Sequence, residues 1–162
     1  MFDRQGLSLV DVRLWRHAEC RQGMKDMLGV VPGVMAWGLV TGVAMVKAGM
    51  PPPIALLMAL TVFAASAQLA SGPLMLSGAP IWVVWVTAWC VNLRFVIFSA
   101  HMRRHMMALP LRWRLVAGYL TADITYVFMQ QRHGQSAPAD AQNIGPLAYF
   151  VGLCSVNWLA WN

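Results

Sequence analysis

Long, uninterrupted runs of apolar residues are the main feature of this chain. From Ala48 to Leu93 there is no Asp, Glu, Lys, Arg or His. This stretch is much longer than the roughly 20 apolar residues that cross the core of a bilayer, so it has room for two crossings. The pattern predicts a series of hydrophobic helices. Their approximate bounds are Met27–Val46, Ile54–Leu76, Ile81–Phe98, Leu115–Phe128 and Ile144–Trp161.

Composition supports a membrane location. Of the 162 residues, 59% are hydrophobic and 11% are charged, whereas an ordinary soluble domain has about 25% charged residues. A soluble protein needs polar groups over its whole surface, and this chain has too few of them. A soluble helical protein with a large buried core is therefore the weaker alternative. The predicted fold is an all-α integral membrane protein with about four to five transmembrane helices, one element of which is broken or re-entrant.

Basic residues flank the apolar runs, and their distribution predicts the membrane topology. The chain has 12 Lys and Arg against 6 Asp and Glu. Basic residues are concentrated in segment 1–25 and in the loop after Phe98, and such clusters favour the cytoplasmic side. We therefore predict a cytoplasmic N-terminal segment, residues 1–25, followed by a single polytopic membrane domain, residues 26–162. In this topology the polar loop from Gln130 to Asn143 is external.

One apolar run must differ from a simple crossing. Three runs lie between the two predicted cytoplasmic segments, and an even number of crossings has to connect them. The segment Pro51–Leu76 therefore enters and returns on the same side, or forms a broken helix. Gly72 and Pro73 are the predicted helix break within it. Non-helical backbone at membrane depth has to be buried in protein or line a polar cavity, so a break is a candidate binding site.

The first apolar run has a second predicted break and a predicted helix contact. Pro32, followed by Gly33, should kink this helix and free a backbone carbonyl. Gly38 and Gly42 stand four residues apart, as in the small-residue pattern that lets two membrane helices approach closely.

Several polar side chains lie inside or beside the apolar runs, where a charge costs about 2.5–3.5 kcal/mol. They are Ser66, Gln68, Asn92, Arg94 and Asp123. The first four are candidates for binding the ammonium and carboxylate groups of an amino acid. Asp123 is a candidate for binding a transported ion or for pairing with Arg94. The structural alternatives are hydrogen bonds between helices, and for Arg94 snorkelling to the membrane surface.

The chain carries no signature of an enzyme or of an ATP-driven pump. It has no Walker loop, dinucleotide fingerprint, nucleophile elbow or zinc motif, so we predict no cofactor. His101 and His105 are four apart and suggest a metal site, but the basic sequence around them favours contact with anionic lipid. The stripe of Trp82, Trp85 and Trp89 is interpreted as packing or interface anchoring.

Four short motifs, in the same order along the chain, resemble those of the AzlC family. They are the string from Pro32 through Gly38, Gly42 and Gly49, which is similar to the opening glycine–proline pattern; FAASAQL (63–69), similar to FAGSAQF; NLR (92–94), which matches an Asn-Leu-Arg motif; and LTADITY (120–126), which resembles a Leu-Thr-Asp-Glu-Tyr region. The resemblance extends from about residue 29 to the end of the chain.

This resemblance implies a subunit that exports branched-chain amino acids across the bacterial inner membrane, together with a small AzlD-type membrane partner. The chemistry of the residues fits this implication, because Ser66, Gln68, Asn92 and Arg94 are candidates to hold the zwitterionic end of the substrate and the many Met, Val and Leu residues to supply an apolar pocket. A gradient-driven secondary carrier needs alternating access, and the break near Ser66 is the candidate moving element.

The sequence also departs from the family pattern. Ala65 replaces a glycine, Phe95 replaces a histidine, and Ile124 stands where an acidic residue often follows the aspartate. The chain ends earlier than family members usually do, which predicts a shortened relative or a fragment. Two alternatives to the carrier are therefore retained: a non-transporting scaffold subunit or inactive truncated relative, and a membrane enzyme that uses a histidine or Asp123.

Overall fold

The computed structural model describes residues 7–139 and 143–162, and all regular structure within them is helical. The described helices are α1 (Val12–Arg16), α2 (Ala18–Leu28), α3 (Val31–Lys47), α4 (Pro52–Val62), α5 (Ala65–Leu76), α6 (Ile81–Asn92), α7 (Arg94–Met106), α8 (Leu111–Leu120), α9 (Asp123–His133) and α10 (Gly145–Trp161). Pro51, Pro80 and Pro110 directly precede α4, α6 and α8. Proline suits a helix start, because it fixes φ and lacks an N–H that would have no partner there. The predicted all-helical class is confirmed for the described residues.

Contacts divide the chain into two compact units. One comprises the described residues of Met1–Val31 together with Phe98–Leu159, and the other comprises Pro32–Ile97 with Ala160–Asn162. The predicted boundary between residues 25 and 26 falls inside α2. The division into a cytoplasmic segment and a membrane domain stays a prediction.

Within the described residues, one helix is long and apolar enough to cross a membrane by itself. It is the 26-residue helix Ile81–Met106, formed by α6 and α7 together, since Leu93 between them keeps right-handed helical backbone angles. Trp82, Trp85 and Trp89 are 65%, 72% and 68% exposed on it. The tryptophan stripe is therefore exposed in the part of the chain that the structure describes, and its role as an interface anchor stays a prediction.

The first apolar run is broken ahead of the residues predicted to break it. Gly29 and Val30 separate α2 from α3, and these two helices pass the length and composition test for a span only as a bent pair. Pro32 and Gly33 lie in the first turn of α3, where a missing N–H costs no helical hydrogen bond. The chain bends by 61° between α2 and α3, directly before Pro32, and the part that Pro32 and Gly33 play in this bend stays a prediction.

α4 and α5 form a helical hairpin. The Gln68 Nε2 of α5 donates a hydrogen bond of 3.0 Å to the backbone carbonyl of Met58 in α4, and each residue is five positions from Phe63. The two helices are therefore antiparallel, with Phe63 and Ala64 at the turn. The hairpin shape agrees with a segment that turns back on itself, and its position in a membrane stays a prediction.

The turn between α4 and α5 differs from the helix break predicted from the sequence. Gly72 and Pro73 lie inside α5, which continues to Leu76, whereas the chain reverses at Phe63 and Ala64. The predicted break at Gly72 and Pro73 is therefore wrong. Pro73 keeps a local effect, because without its N–H the carbonyl four residues earlier loses its helical donor.

α8 and α9 form a second helical hairpin. His101 Nδ1 lies 2.6 Å from the Tyr126 hydroxyl, and Arg104 donates to the carbonyl of Gly134 at 3.1 Å, so α7 and α9 run in the same direction. α8 follows α7 after a short loop, and the two helices line one cavity along most of their length. The chain therefore turns back after α7, and α8 runs in the opposite direction. The turn between the arms is at residues 121–122.

This second hairpin corrects the predicted crossing Leu115–Phe128. α8 has 10 residues and α9 has 11, so each arm is about 15–17 Å long at a rise of 1.5 Å per residue. The hydrocarbon core of a bilayer is about 30 Å thick. Neither arm is long enough to cross it, and the fourth apolar run is a folded-back pair of helices instead of one span.

α2 and α10 cross at two buried glycines. A Cβ atom on Gly23 would overlap the backbone carbonyl of Tyr149, and one on Gly152 would overlap the backbone carbonyl of Cys20. The helix backbones can touch only because both residues lack a side chain. α10 is buried continuously from residue 146 to residue 154, so this crossing lies at the core of its unit.

The predicted close helix contact at Gly38 and Gly42 holds for Gly38 only. A Cβ on Gly38 would lie 2.6 Å from the carbonyl oxygen of Trp161, whereas one on Gly42 would have nothing within 4 Å. Gly38 is therefore at a close approach of two backbones, and Gly42 is not.

An ion pair corrects the predicted sides of the membrane. Glu19 in α2 accepts two hydrogen bonds from Arg132, of 2.8 and 2.9 Å, and His133 Nε2 lies 3.2 Å from the same carboxylate. Residues in direct contact lie on one side, so a cytoplasmic N-terminal segment and an external loop after α9 cannot both hold.

Candidate functional site

A positively charged side chain contacts the first hairpin beside its turn. Arg94, the first residue of α7, donates from its guanidinium to Ser66 Oγ at 2.8 Å. The guanidinium carbon also lies 5.3 Å from the ring centre of Phe95. Ser66 and Arg94 are both half-buried. Two of the predicted substrate-binding residues, 28 positions apart, are thus brought into one cluster.

The turn of this hairpin has an unusual backbone. Phe63 has φ of 43°, in the left-handed region that residues other than glycine rarely adopt. Such a residue costs about 1–3 kcal/mol and persists where its surroundings hold it. Phe63 and Ala64 are buried, and the Phe63 ring meets Trp161 edge-on at 6.0 Å. Strained backbone of this kind is concentrated at functional sites, which favours the turn as part of the site.

Gln68 is the most deeply buried of the predicted binding residues, with 1% of its surface exposed. Its amide nitrogen bonds Met58, but its oxygen, Oε1, has no hydrogen-bond partner among the described residues. Leaving a buried acceptor unsatisfied costs about 1–3 kcal/mol. Gln68 also lines a cavity of about 330 Å³ between α3 and α5. The oxygen itself is buried, so Gln68 lines the cavity without presenting this acceptor to it.

Asn92 and Asp123 are not among the residues that line this cavity. Asn92 ends α6, is half-buried, and has a side-chain oxygen without a partner among the described residues. Asp123 is the first residue of α9, where a carboxylate is favoured by the positive end of the helix dipole. Asp123 and Arg94 belong to different units, so the pairing between them stays a prediction.

Lys47 is a cavity residue that the sequence analysis missed. It ends α3 and lines the same cavity as Gln68, Gly72 and Pro73. The signal was present in the sequence, because Lys47 is the one charged residue between Asp26 and Arg94. A lysine at the end of an apolar run is ordinarily a snorkelling residue, so its position in the sequence alone does not indicate a cavity residue.

The other unit holds a separate set of polar contacts around α10. The Tyr149 hydroxyl donates to Asp26 at 2.6 Å, Gln22 donates to the same carboxylate at 2.7 Å, and the Arg132 guanidinium lies 5.3 Å from the ring centre of Tyr149. Together with the Glu19–Arg132 pair, these contacts fix α2 against α9 and α10. The described residues contain no group of three potential metal ligands of the His, Cys, Asp and Glu types.

These features define a class: an all-helical protein with an apolar span, short helical hairpins and a polar cluster at a hairpin turn. The family model described as AzlC protein matches residues 29–162. The chain therefore belongs to the AzlC family, a family of membrane transport proteins. The match includes Ser66, Gln68, Asn92, Arg94 and Asp123. No curated protein and no solved structure matches the chain.

Proposed function

We propose that the chain is a subunit of a gradient-driven secondary carrier that exports branched-chain amino acids from bacteria, together with a small AzlD-type membrane partner. Membership of a transport family supports the general activity. The substrate class, the direction of transport and the partner come from the resemblance in the motifs, and they are part of the proposal.

The observation that carries the proposal is the contact of Arg94 with Ser66 at the hairpin turn. A guanidinium presents several donors in a plane and binds a carboxylate with two hydrogen bonds. Held half-buried next to a strained turn, it is placed to exchange a serine hydroxyl for a substrate carboxylate. Breaks of this kind form the binding sites of many secondary carriers.

We further propose that both hairpins are re-entrant elements. α4 and α5 have 11 and 12 residues, about 17 Å each at 1.5 Å per residue, which is too short to cross a core of about 30 Å. With α4–α5 folded back, an even number of crossings separates the basic N-terminal segment from the basic loop after α7, as the positive-inside rule requires. With α8–α9 folded back, Arg132 is cytoplasmic as well.

The test is efflux of radiolabelled leucine, valine and isoleucine from preloaded cells that express the full chain with and without the small partner. The variants are Arg94→Ala, Arg94→Lys and Ser66→Ala, each checked for membrane insertion. Arg112→Ala is the matched control, because Arg112 is an exposed arginine at the start of α8.

We expect efflux that requires the partner, that is lost in Arg94→Ala, and that is normal in Arg112→Ala. Arg94→Lys should retain little activity, because an ammonium cannot replace a two-pronged donor. Normal efflux in Arg94→Ala would remove the assigned site, and absence of efflux from the parent chain with its partner would favour the scaffold alternative.

A further inference from the structure

We propose that the cavity between α7 and α8 binds the phosphate group of an anionic phospholipid, with Arg103 and Arg114 as its ligands. The cavity has a volume of about 290 Å³, and all of its lining residues lie in one unit. The Ser66–Arg94 cluster belongs to the other unit, so this site goes beyond the proposed transport function. The basic sequence here predicts lipid contact only in general, whereas the fold supplies one cavity with two arginines in its wall.

The two helices bring these arginines to the same end of the cavity. On α7 the lining includes Phe98, Met102 and Met106, which are four residues apart and therefore lie on one face of the helix. Arg103 lines the cavity near the end of α7, and Arg114 lines it near the start of α8. Because α7 and α8 run in opposite directions, both arginines lie next to the loop that joins the helices.

The sequence around this end of the cavity is strongly basic. Segment 101–114 contains four arginines, and the chain has no Asp or Glu at all between Asp26 and Asp123. A cluster of positive charges without acidic residues among them attracts an anion, most strongly where the surroundings exclude water.

Neither arginine of the cavity is neutralised within the described part of the chain. Arg103 forms no hydrogen bond or ion pair there, and Arg114 donates only to the sulfur of Met107, at 3.0 Å. Met107 also lines the cavity, so this contact holds the half-buried Arg114 guanidinium at the cavity wall. A guanidinium has five N–H donors and sulfur is a weak acceptor, so donors are left for the oxygens of a phosphate.

The other end of the cavity suits an acyl chain. It is lined mainly by apolar groups, among them Phe98, Met102 and Ala117. The hydroxyl groups nearby belong to Ser99 and Thr121, and that of Thr121 already donates to the Ala117 carbonyl at 2.7 Å. A phospholipid has the same order of groups, with a phosphate joined to apolar chains, whereas a free phosphate ion would leave the apolar end empty.

The charges also select the headgroup. Phosphatidylglycerol carries one negative charge, whereas phosphatidylethanolamine carries an ammonium beside its phosphate. Arg103 and Arg114 would repel this ammonium, and a like charge placed against them is unfavourable. Basic pockets between membrane helices bind anionic headgroups in the same way.

The test measures the binding of single lipid molecules to the purified full chain by native mass spectrometry from uncharged detergent micelles. The lipids are phosphatidylglycerol and phosphatidylethanolamine with identical acyl chains, and inorganic phosphate in excess is the competitor. The variants are Arg103→Gln and Arg114→Gln, each checked for folding by circular dichroism. Arg112→Gln is the matched control, because it removes one charge from the same basic segment and Arg112 does not line the cavity.

We expect Arg114→Gln to weaken phosphatidylglycerol binding about tenfold, as for the loss of a charged hydrogen bond. Arg103→Gln should weaken it about fivefold, because Arg103 is more exposed. Arg112→Gln should stay within about twofold of the parent chain, as for an exposed charge. The parent chain should bind phosphatidylethanolamine about tenfold more weakly than phosphatidylglycerol, and inorganic phosphate should not displace the lipid.

Three results would overturn the proposal. Equal losses in Arg112→Gln and in the cavity variants would show diffuse attraction by the basic segment. Equal affinities for the two lipids would remove the assigned headgroup, and displacement by inorganic phosphate would identify a site for the free ion instead. Arg103→Gln keeps the test decisive even if Arg114→Gln does not fold, because Arg103 is exposed and forms no hydrogen bond within the described residues.

Discussion

The crossing of α2 and α10 makes Gly152→Ala a sensitive test of the structure. The new Cβ would overlap the carbonyl oxygen of Cys20, and it would lie 3.0 Å from the Cys20 carbonyl carbon and 3.1 Å from the Met24 nitrogen. All three atoms are backbone, so no side chain can rotate away. α2 has to move away from α10 for the methyl group to fit.

The magnitude follows from the packing. The two longer distances, 3.0 and 3.1 Å, are about 0.5 Å shorter than ordinary contact near 3.5 Å. If α2 moves away from α10 by about 0.5–1 Å, each of the other dispersion contacts between these helices loses roughly a quarter to a half of its energy. Overpacking of a tight core costs about 1–3 kcal/mol. Alanine gains up to about 1 kcal/mol over glycine within a helix. Since the overlap is with backbone, we expect a net loss of about 2 kcal/mol.

The assay is reversible unfolding of the purified chain in mixed micelles, followed by circular dichroism. Gly118→Ala is the matched control, because Gly118 lies in the helix α8 of the same unit and a Cβ there would have nothing within 4 Å. The control should be neutral or slightly stabilising. Equal unfolding free energies for Gly152→Ala and Gly118→Ala would show that α2 and α10 do not touch as described.

Three further predictions test other contacts. Tyr149→Phe should lower the unfolding free energy by about 1.5 kcal/mol, because it removes a partly buried 2.6 Å hydrogen bond to the Asp26 carboxylate; a variant as stable as the parent would contradict that bond. In a background without native cysteines, Glu19→Cys and Arg132→Cys should be joined in membranes by a bifunctional thiol reagent long enough to replace the two side chains. Absence of this cross-link would contradict the contact between α2 and the end of α9. Ser66→Ala should reduce leucine efflux less than loss of the arginine does, since it removes only one hydrogen-bond partner, and efflux is again the measurement.

Several properties of this protein were determined by the sequence alone. Helical class and membrane location follow from apolar runs and from the scarcity of charge, because every backbone polar group in a bilayer needs a partner within the protein. The distribution of arginines predicted that Pro51–Leu76 enters and returns on the same side of the membrane. Two cytoplasmic segments must be separated by an even number of crossings, and counting these crossings needs only the order of the segments along the chain. Motif order predicted the AzlC family, and the family match confirmed it.

Other properties were decided only by the tertiary structure. The first hairpin turns at Phe63 and Ala64, not at the glycine and proline of α5, because packing holds a strained backbone that local propensity disfavours. Gly23 and Gly152 are 129 positions apart, and only the folded chain brings each against a backbone carbonyl. The same holds for Lys47, whose position beside Gln68 depends on how α3 lies along α5. Sequence patterns report local periodicity, whereas contacts between distant residues depend on helix packing that no single segment encodes.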